Sequence, residues 1–403
     1  MTEPSPTAPV TVPVILIQGD GIGPEVAPAA VEAVDAAVKG AYRGSTTLSW
    51  REALAGKAAY ARTGSPLPPE TLEAIRSVRV ALKGPLETPV GGGIRSLNVA
   101  LRQTLDLYAC VRPVRSFAGV PSPVTHPERL DVIIFRENTE DVYSGIEWRE
   151  GTPEALKVIR FLAEEMGAPI PEDSGIGIKP MSVRGSKRLV RRALRYALEN
   201  GRRSVTLVHK GNIMKYTEGA FREWGYEVAA HEFAEQTVTE AELRSGPRDD
   251  RLAGVLPPRT ILVNDRIADA MFQELLLRPE RYDVLALSNL NGDYISDAAA
   301  AQVGGLGLAP GANIGDEYAV FEATHGTAPD IAGQEMANPG SLILSGAMLL
   351  RHVGLAEAAA RLEQAVARVL ASGRVTPDLA SGSEGVRVLT TSAFGRAVAE
   401  EAG

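Results

Sequence analysis

Cys110 is the only cysteine in 403 residues, which excludes an intrachain disulfide and a thiolate metal cluster built from one chain. Histidine is nearly as scarce, with five scattered copies, so no zinc ligand set is apparent. No run approaches the roughly 18 consecutive apolar residues that a membrane span requires. Basic charge is also in deficit. Lys and Arg number 42 against 50 Asp and Glu, a net charge of −8 at pH 7. Nucleic acid and anionic membrane surfaces, which demand a dense basic footprint, are therefore not expected as partners. Met1 to Pro13 lacks a basic stretch followed by an apolar one, so it does not read as a secretory signal, and a frayed tail is expected there. Together with the lone thiol this predicts a cytoplasmic setting.

What is present is the composition of an ordinary globular protein, 44% hydrophobic and 23% charged. At about 100 to 200 residues per domain, the length predicts two or three domains. Val14–Ile17 is a β-branched run that leads through Gly19, Gly21 and Gly23 into a helical pattern over Glu25–Lys39. Apolar runs recur at Val78–Leu82, Asp131–Phe135, Ser204–Val208, Thr260–Val263 and Tyr282–Leu287. Helical spacing intervenes at Ile159–Met166, Ser186–Leu198, Gly219–Trp224, Ile267–Leu277, Leu342–His352 and Leu355–Leu370. This alternation predicts an α/β fold with a large, mostly parallel sheet. Ala234–Pro258, rich in charge and proline, reads as an exposed excursion.

The first glycine cluster, Gly19-Asp20-Gly21-Ile22-Gly23-Pro24, places Pro24 where the dinucleotide fingerprint needs its third glycine. A tight strand-to-helix turn is the better reading. More specific is Lys83 to Arg102, where a glycine-rich stretch (Gly91-Gly92-Gly93) runs into a helical segment bearing Ser96, Asn98 and Arg102. Such a loop presents backbone N–H groups to an anion, and Asn98 and Arg102, four apart, share a helix face. Arg95 belongs to the same stretch, and Arg112, Arg115 and Arg136 follow near the ends of predicted strands. Any one of these arginines alone reads as a surface ion-pair partner. Several guanidiniums converging behind a glycine loop suit a substrate with two or three carboxylates, each of which can be bound bidentately.

Asp293 and Asp297 stand four apart after Asn289-Leu290-Asn291-Gly292, with Asp269 at the start of the preceding helical pattern. Hard carboxylate oxygens at that spacing suit Mg²⁺ or Mn²⁺. Without further context, such a pair is more often a solvated helix face.

Five segments carry a resemblance that covers nearly the whole chain: Arg95–Arg112, Phe135–Tyr143, Val208–Lys215, Asn289–Asp297 and Glu322–Pro329. Together they resemble the isocitrate/isopropylmalate dehydrogenase family, most closely its bacterial isocitrate-oxidising branch. The resemblance implies that family's own α/β fold, which is not a Rossmann fold. Its large domain would comprise 1–107 and 304–403, its small domain 108–140 and 186–303, and a clasp 141–185. It implies oxidative decarboxylation of isocitrate to 2-oxoglutarate and CO₂ through metal-held oxalosuccinate, in a homodimer whose active sites are shared. By the same match Tyr143 and Lys210 are the acid/base pair, with Lys210 arriving from the other subunit. Ser96, Asn98, Arg102, Arg112 and Arg136 hold the substrate. Asp293 and Asp297 bind Mg²⁺ or Mn²⁺ together with Asp269 of the second subunit. Tyr and Lys titrate near pH 10 when unperturbed, so neighbouring cations and burial are expected to lower at least one of the pair. Other 2-hydroxy acids (homoisocitrate, isopropylmalate, tartrate) and a non-catalytic regulatory subunit are the rival readings.

The same match assigns Glu87, Thr88, Asn212, His325, Gly326, Ala328, Asp330, Ile331 and Asn338 to the dinucleotide. Relatives that use NADP carry Lys and Tyr after the His-Gly-Thr-Ala-Pro motif, and Tyr and Arg in a later segment. Here Asp330, Ile331, Pro377 and Ser381 stand instead. A 2′-phosphate would lack those donors and face a carboxylate, so NAD is the expected cofactor.

Overall fold

The computed structural model describes residues 10–87, 96–245, 260–381 and 385–403. Fifteen strands occur among these residues: β1 Val10–Ile17, β2 Thr46–Glu52, β3 Val80–Lys83, β4 Ala109–Arg115, β5 Asp131–Glu137, β6 Glu147–Trp148, β7 Ile176–Gly177, β8 Ser204–His209, β9 Thr237–Thr239, β10 Ile261–Ile267, β11 Val284–Leu287, β12 Pro310–Ile314, β13 Ala319–Ala323, β14 Arg374–Val375 and β15 Arg387–Val388. Eleven of them form one sheet in the order β2-β1-β3-β13-β12-β4-β5-β11-β8-β10-β9.

Both wings of this sheet are parallel, whereas the centre, β13-β12-β4-β5, is antiparallel. The sheet is mostly parallel, as expected, with an antiparallel centre that reverses its polarity where the wings meet. β3, β8 and β11 are buried along their whole length, as strands covered on both faces must be, and they read as continuous apolar runs for that reason.

On one face of the sheet lie helices Gly23–Tyr42, Gly340–His352, Ala356–Ala371 and Thr391–Ala402 over one wing, and Val183–Glu199 and Ala220–Glu232 over the other. The opposite face carries two smaller cores, one around Leu97, Leu101 and Ile75 and one around Met271, Leu287 and Ile295. The Leu97–Thr104 and Asn289–Ala301 helices therefore flank the antiparallel centre from either side. Within 141–185, β6 pairs with β7 and helix Pro153–Glu164 packs through Ala155 and Ile159. Of the Ala234–Pro258 excursion, residues 234–245 are described, and they include edge strand β9 and the short helix Glu240–Ser245.

The first glycine cluster is a turn, as expected. Gly21 has φ +59°, and a Cβ there would stand 2.0 Å from the Thr327 carbonyl oxygen, so only glycine fits. Ile22 N–H donates to the same oxygen at 3.0 Å. No described helix is long and apolar enough to cross a membrane.

Candidate active site

Side chains alternate along a strand, so Arg112 of β4 and Arg136 of β5 project from the same face. Both are buried there against helix Asn289–Ala301. Arg112 donates to Ser296 Oγ at 2.5 Å and to Asp297 at 2.9 Å. Arg136 donates to Asn289 Oδ1 at 2.8 Å and to Asp293, and its guanidinium lies 4.8 Å from the centre of the Tyr143 ring. Tyr143 in turn donates its hydroxyl hydrogen to Asp293. Arg102 reaches the group from the opposite wall, where it is anchored at 3.0 Å to Glu322 of β13.

Three guanidiniums thus crowd one cleft. Burial, and then repulsion from Arg112 and Arg102, pushes the Arg136 pKa down. That surplus positive potential fits a polyanion. Arg102 Nε and Arg112 Nε are buried with no hydrogen-bond partner among the described residues, which leaves two donors for a ligand to satisfy, and Asn98 Oδ1 is a buried acceptor likewise without a partner. Ser96 stands at the N-cap of the Leu97–Thr104 helix, and Asn98 and Arg102 follow on one face as expected. Thr88, Arg95 and the glycine loop lie outside the described residues.

Asp293 and Asp297 share a helix face, and the second titrates high. Burial raises the Asp297 pKa against the pull of Arg112, and Asp293 adds to the rise. Burial acts on Asp293 in the same direction, but Arg136, Tyr143 and Arg112 together outweigh it and the net shift is downward. Two mutually repelling carboxylates with hard oxygen donors fit a divalent cation. Asp269 is elsewhere, ion-paired with Lys210 at 2.5 Å on the parallel wing, and no described group of three acidic, His or Cys side chains gathers in one chain. The predicted site residues therefore form two clusters. One is Arg102, Arg112, Arg136, Tyr143, Asp293 and Asp297, and the other is Lys210 with Asp269.

The expectation that an acid/base group is lowered fails for Tyr143. Burial, the largest influence, pushes its pKa up to about 12 against the opposing pull of Arg136. The phenol is held in its proton-bearing form.

Sequence reasoning missed the residues behind these. Glu322, buried between Lys83 (2.6 Å) and Arg102, is held well below the usual carboxylate range. Burial alone would raise it, but the two cations outweigh that penalty. Lys179 bridges Asp141 (2.5 Å) and Glu218 (2.9 Å). Asp141 accepts from the Val142 and Leu290 N–H groups, beside Tyr143 and at the start of the Asp293 helix. Glu218 accepts from the Lys210 N–H at 2.9 Å and from Asn291. Asp141 and Glu322 fall within the segments Phe135–Tyr143 and Glu322–Pro329, but no short spacing links them to Lys179, Glu218, Lys83 or Arg102, so their pairings carried no local signal.

The residues assigned to the dinucleotide fall mostly along one rim. His325, Gly326, Ala328, Asp330 and Ile331 follow β13, with Ala328 at φ +40°. His325 Nε2 is buried without a partner among the described residues. Asn338 is buried and donates to Asp378 at 3.1 Å. Glu87 pairs with Lys57 at 2.5 Å and Asn212 is exposed beside Lys210.

The isocitrate/isopropylmalate dehydrogenase pattern matches residues 13–398. The isocitrate dehydrogenase [NADP] of Archaeoglobus fulgidus is 57% identical, with 95% of this chain and 91% of that protein covered. The isocitrate dehydrogenase [NADP] of Pseudomonas aeruginosa is 56% identical over 95% and 91%, respectively. Among solved structures, isocitrate dehydrogenase from Methylococcus capsulatus superposes with a TM-score of 0.79 at 40% identity, covering 97% of this chain and 99% of that one.

These relatives correct the NAD expectation, because they are named for NADP at high identity over almost the full length. That expectation assumed that the 2′-phosphate must be met at four fixed positions. It also gave Asp330 a decisive repulsion, yet Asp330 is exposed, where water and salt screen its charge. With its fold, its paired clusters and its relatives in agreement over nearly every residue, the chain belongs to the isocitrate/isopropylmalate dehydrogenase family.

Proposed function

We propose that the protein oxidatively decarboxylates isocitrate to 2-oxoglutarate and CO₂ with NADP as hydride acceptor, as a cytoplasmic homodimer. The observation that carries the substrate is the convergence of buried Arg112 and Arg136 and partly buried Arg102 on one cleft, with the Nε atoms of Arg102 and Arg112 unpartnered among the described residues. The relatives' names support both the substrate and the NADP assignment.

In this reading the three arginines, with Ser96 and Asn98, bind the three carboxylates and orient the reacting carbon. Lys210 of the partner subunit would accept the hydroxyl proton, and NADP, when bound, would supply the hydride acceptor. Tyr143, whose pKa is pushed up to about 12, carries the proton delivered to carbon after CO₂ departs. Asp293 and Asp297, with Asp269 of the partner subunit, would hold Mg²⁺ or Mn²⁺, which acidifies the hydroxyl and stabilises enolate charge. The dimer reading is supported by the Lys210–Asp269 ion pair, in which neither side chain contacts Tyr143 or Asp293 of its own chain among the described residues. Exposed apolar side chains support it: Ile146, Phe161, Met166 and Ile178 in the proposed 141–185 clasp, and Ile213, Tyr216, Phe272 and Tyr294 near the two clusters.

The test is an NADPH-forming assay of the purified chain with Mg²⁺ or Mn²⁺ and isocitrate, homoisocitrate, isopropylmalate or tartrate in parallel. Isocitrate is expected to give the highest kcat/KM by orders of magnitude. A higher value for another acid, or an inactive chain that needs a second subunit, would sink the proposal.

A further inference from the structure

A second cavity lies apart from the cleft between Arg102 and Asp293. It lies on the other face of the sheet, about 860 Å³ in volume. Its floor is the reverse of the strands that carry the substrate arginines. Val111 and Pro113 of β4 and Ile133 and Phe135 of β5 line it, while Arg112, between the first two, and Arg136, next after Phe135, point the opposite way. One wall is helix Val183–Glu199 on the parallel wing, and the other is helix Gly340–His352.

The lining reverses the charge of the molecule. Seven arginines against four carboxylates leave +3 at this place in a chain of −8. Asp106 and Glu232, outside the lining, take up Arg188 and Arg191 at 2.7 and 2.5 Å, and two features place the positive charge that remains. Arg115 and Arg351 share a single carboxylate, Glu363, at 3.2 and 2.9 Å, and Arg195 makes no ion pair among the described residues. Each wall also presents an aromatic ring backed by a buried phenylalanine. Tyr196 lies 5.3 Å from Phe135, and His352 lies 5.5 Å from Phe321. Each ring has an arginine as its chain neighbour, Arg195 on one wall and Arg351 on the other.

Rings for stacking, an Arg195 without an ion pair, two guanidiniums that share one carboxylate and a volume in the range of small-molecule sites are the components of a binding site for a planar base bearing phosphate. We propose that this rear cavity binds a nucleoside phosphate, its base against Tyr196 and His352 and its phosphate on Arg195 and the Arg115–Arg351 pair. The site is distinct from the cofactor rim, which lies beyond β13. The proposal does not depend on the catalytic assignment, because its test reads binding alone.

The test is equilibrium dialysis of AMP and ADP against the intact protein, with NADP saturating so that the cofactor rim is filled. One nucleotide per chain is expected to bind with Kd below about 1 mM. Arg195→Glu, at an exposed position without an ion pair, is expected to weaken binding at least tenfold. Tyr196→Ala should weaken it as well, while Arg195→Lys retains most of it. Thermal melting of each variant checks the fold, and a variant that does not fold is replaced by Arg195→Gln. Absence of binding at 1 mM, binding that Arg195→Glu leaves unchanged, or displacement by equimolar inorganic phosphate or citrate would each overturn the proposal. The last outcome would mean an anion site that ignores the base.

Discussion

Lys179 stands 2.9 Å from Glu218, and the same ammonium reaches Asp141 at 2.5 Å. The ion triad is nearly sealed, with Asp141 and Glu218 almost wholly buried. It ties the turn that carries Tyr143 to the backbone of Lys210, so the two proposed proton carriers of one chain, which serve different sites of the dimer, hang from one cation. Lys179→Met leaves two buried carboxylates uncompensated. It is expected to cost about 3 to 5 kcal/mol in chemical denaturation, with Lys179→Arg costing less. An unchanged midpoint would refute the role of the triad.

Glu322 gives a pH dependence with a definite sign. Its folded pKa lies below its unfolded value, so its stabilisation is fully present above the unfolded value of about 4.5 and is lost as pH falls through the folded one. Denaturation midpoints of the protein measured from pH 6 downward should therefore drop more steeply than those of Glu322→Gln. The same variant frees Arg102, and KM for isocitrate should rise about tenfold or more while kcat changes less. Parallel pH curves for the two proteins would count against this account.

Tyr143→Phe removes one hydroxyl and keeps the ring beneath the Arg136 guanidinium, 4.8 Å away. The expected result is a fall in kcat of about 10² to 10⁴ with KM nearly unchanged, measured by steady-state kinetics. A kcat within twofold of the parent would remove Tyr143 from the proton path.

Ser96→Asp places a negative charge at the N-cap of the Leu97–Thr104 helix, on the face where a substrate carboxylate is expected. Most activity should be lost with the melting temperature preserved. Full retention would break the substrate assignment.

Chelation should abolish turnover, with Mg²⁺ or Mn²⁺ restoring it. Asp297→Asn should raise the Mn²⁺ concentration needed for half-maximal rate by tenfold or more. Turnover that survives exhaustive chelation contradicts the metal role of Asp293 and Asp297.

How much was legible follows from how local each feature is. β8 and β11 were visible because both of their faces are buried, which forces unbroken apolar runs. β4 was not marked by such a run, since Ala109–Arg115 includes Pro113 and two arginines, one of which, Arg112, serves the site. The Asp293–Asp297 pair was legible because four residues make one helical turn. Glu322 was not, because it lies 220 positions from the Arg102 that it holds.

The sequence by itself determined the helix and strand periodicities, the acidic balance, the lone thiol and the residue types that a metal-dependent hydroxy-acid chemistry requires. These are set by neighbours within a few positions. Only the tertiary structure decided that Lys210 and Asp269 sit apart from Tyr143 and Asp293, that burial raises the Tyr143 phenol, and that an arginine-rich cavity backs the substrate strands. Each of these depends on which distant segments the sheet brings face to face. Desolvation and Coulomb energies are set by those through-space neighbours, and not by order along the chain.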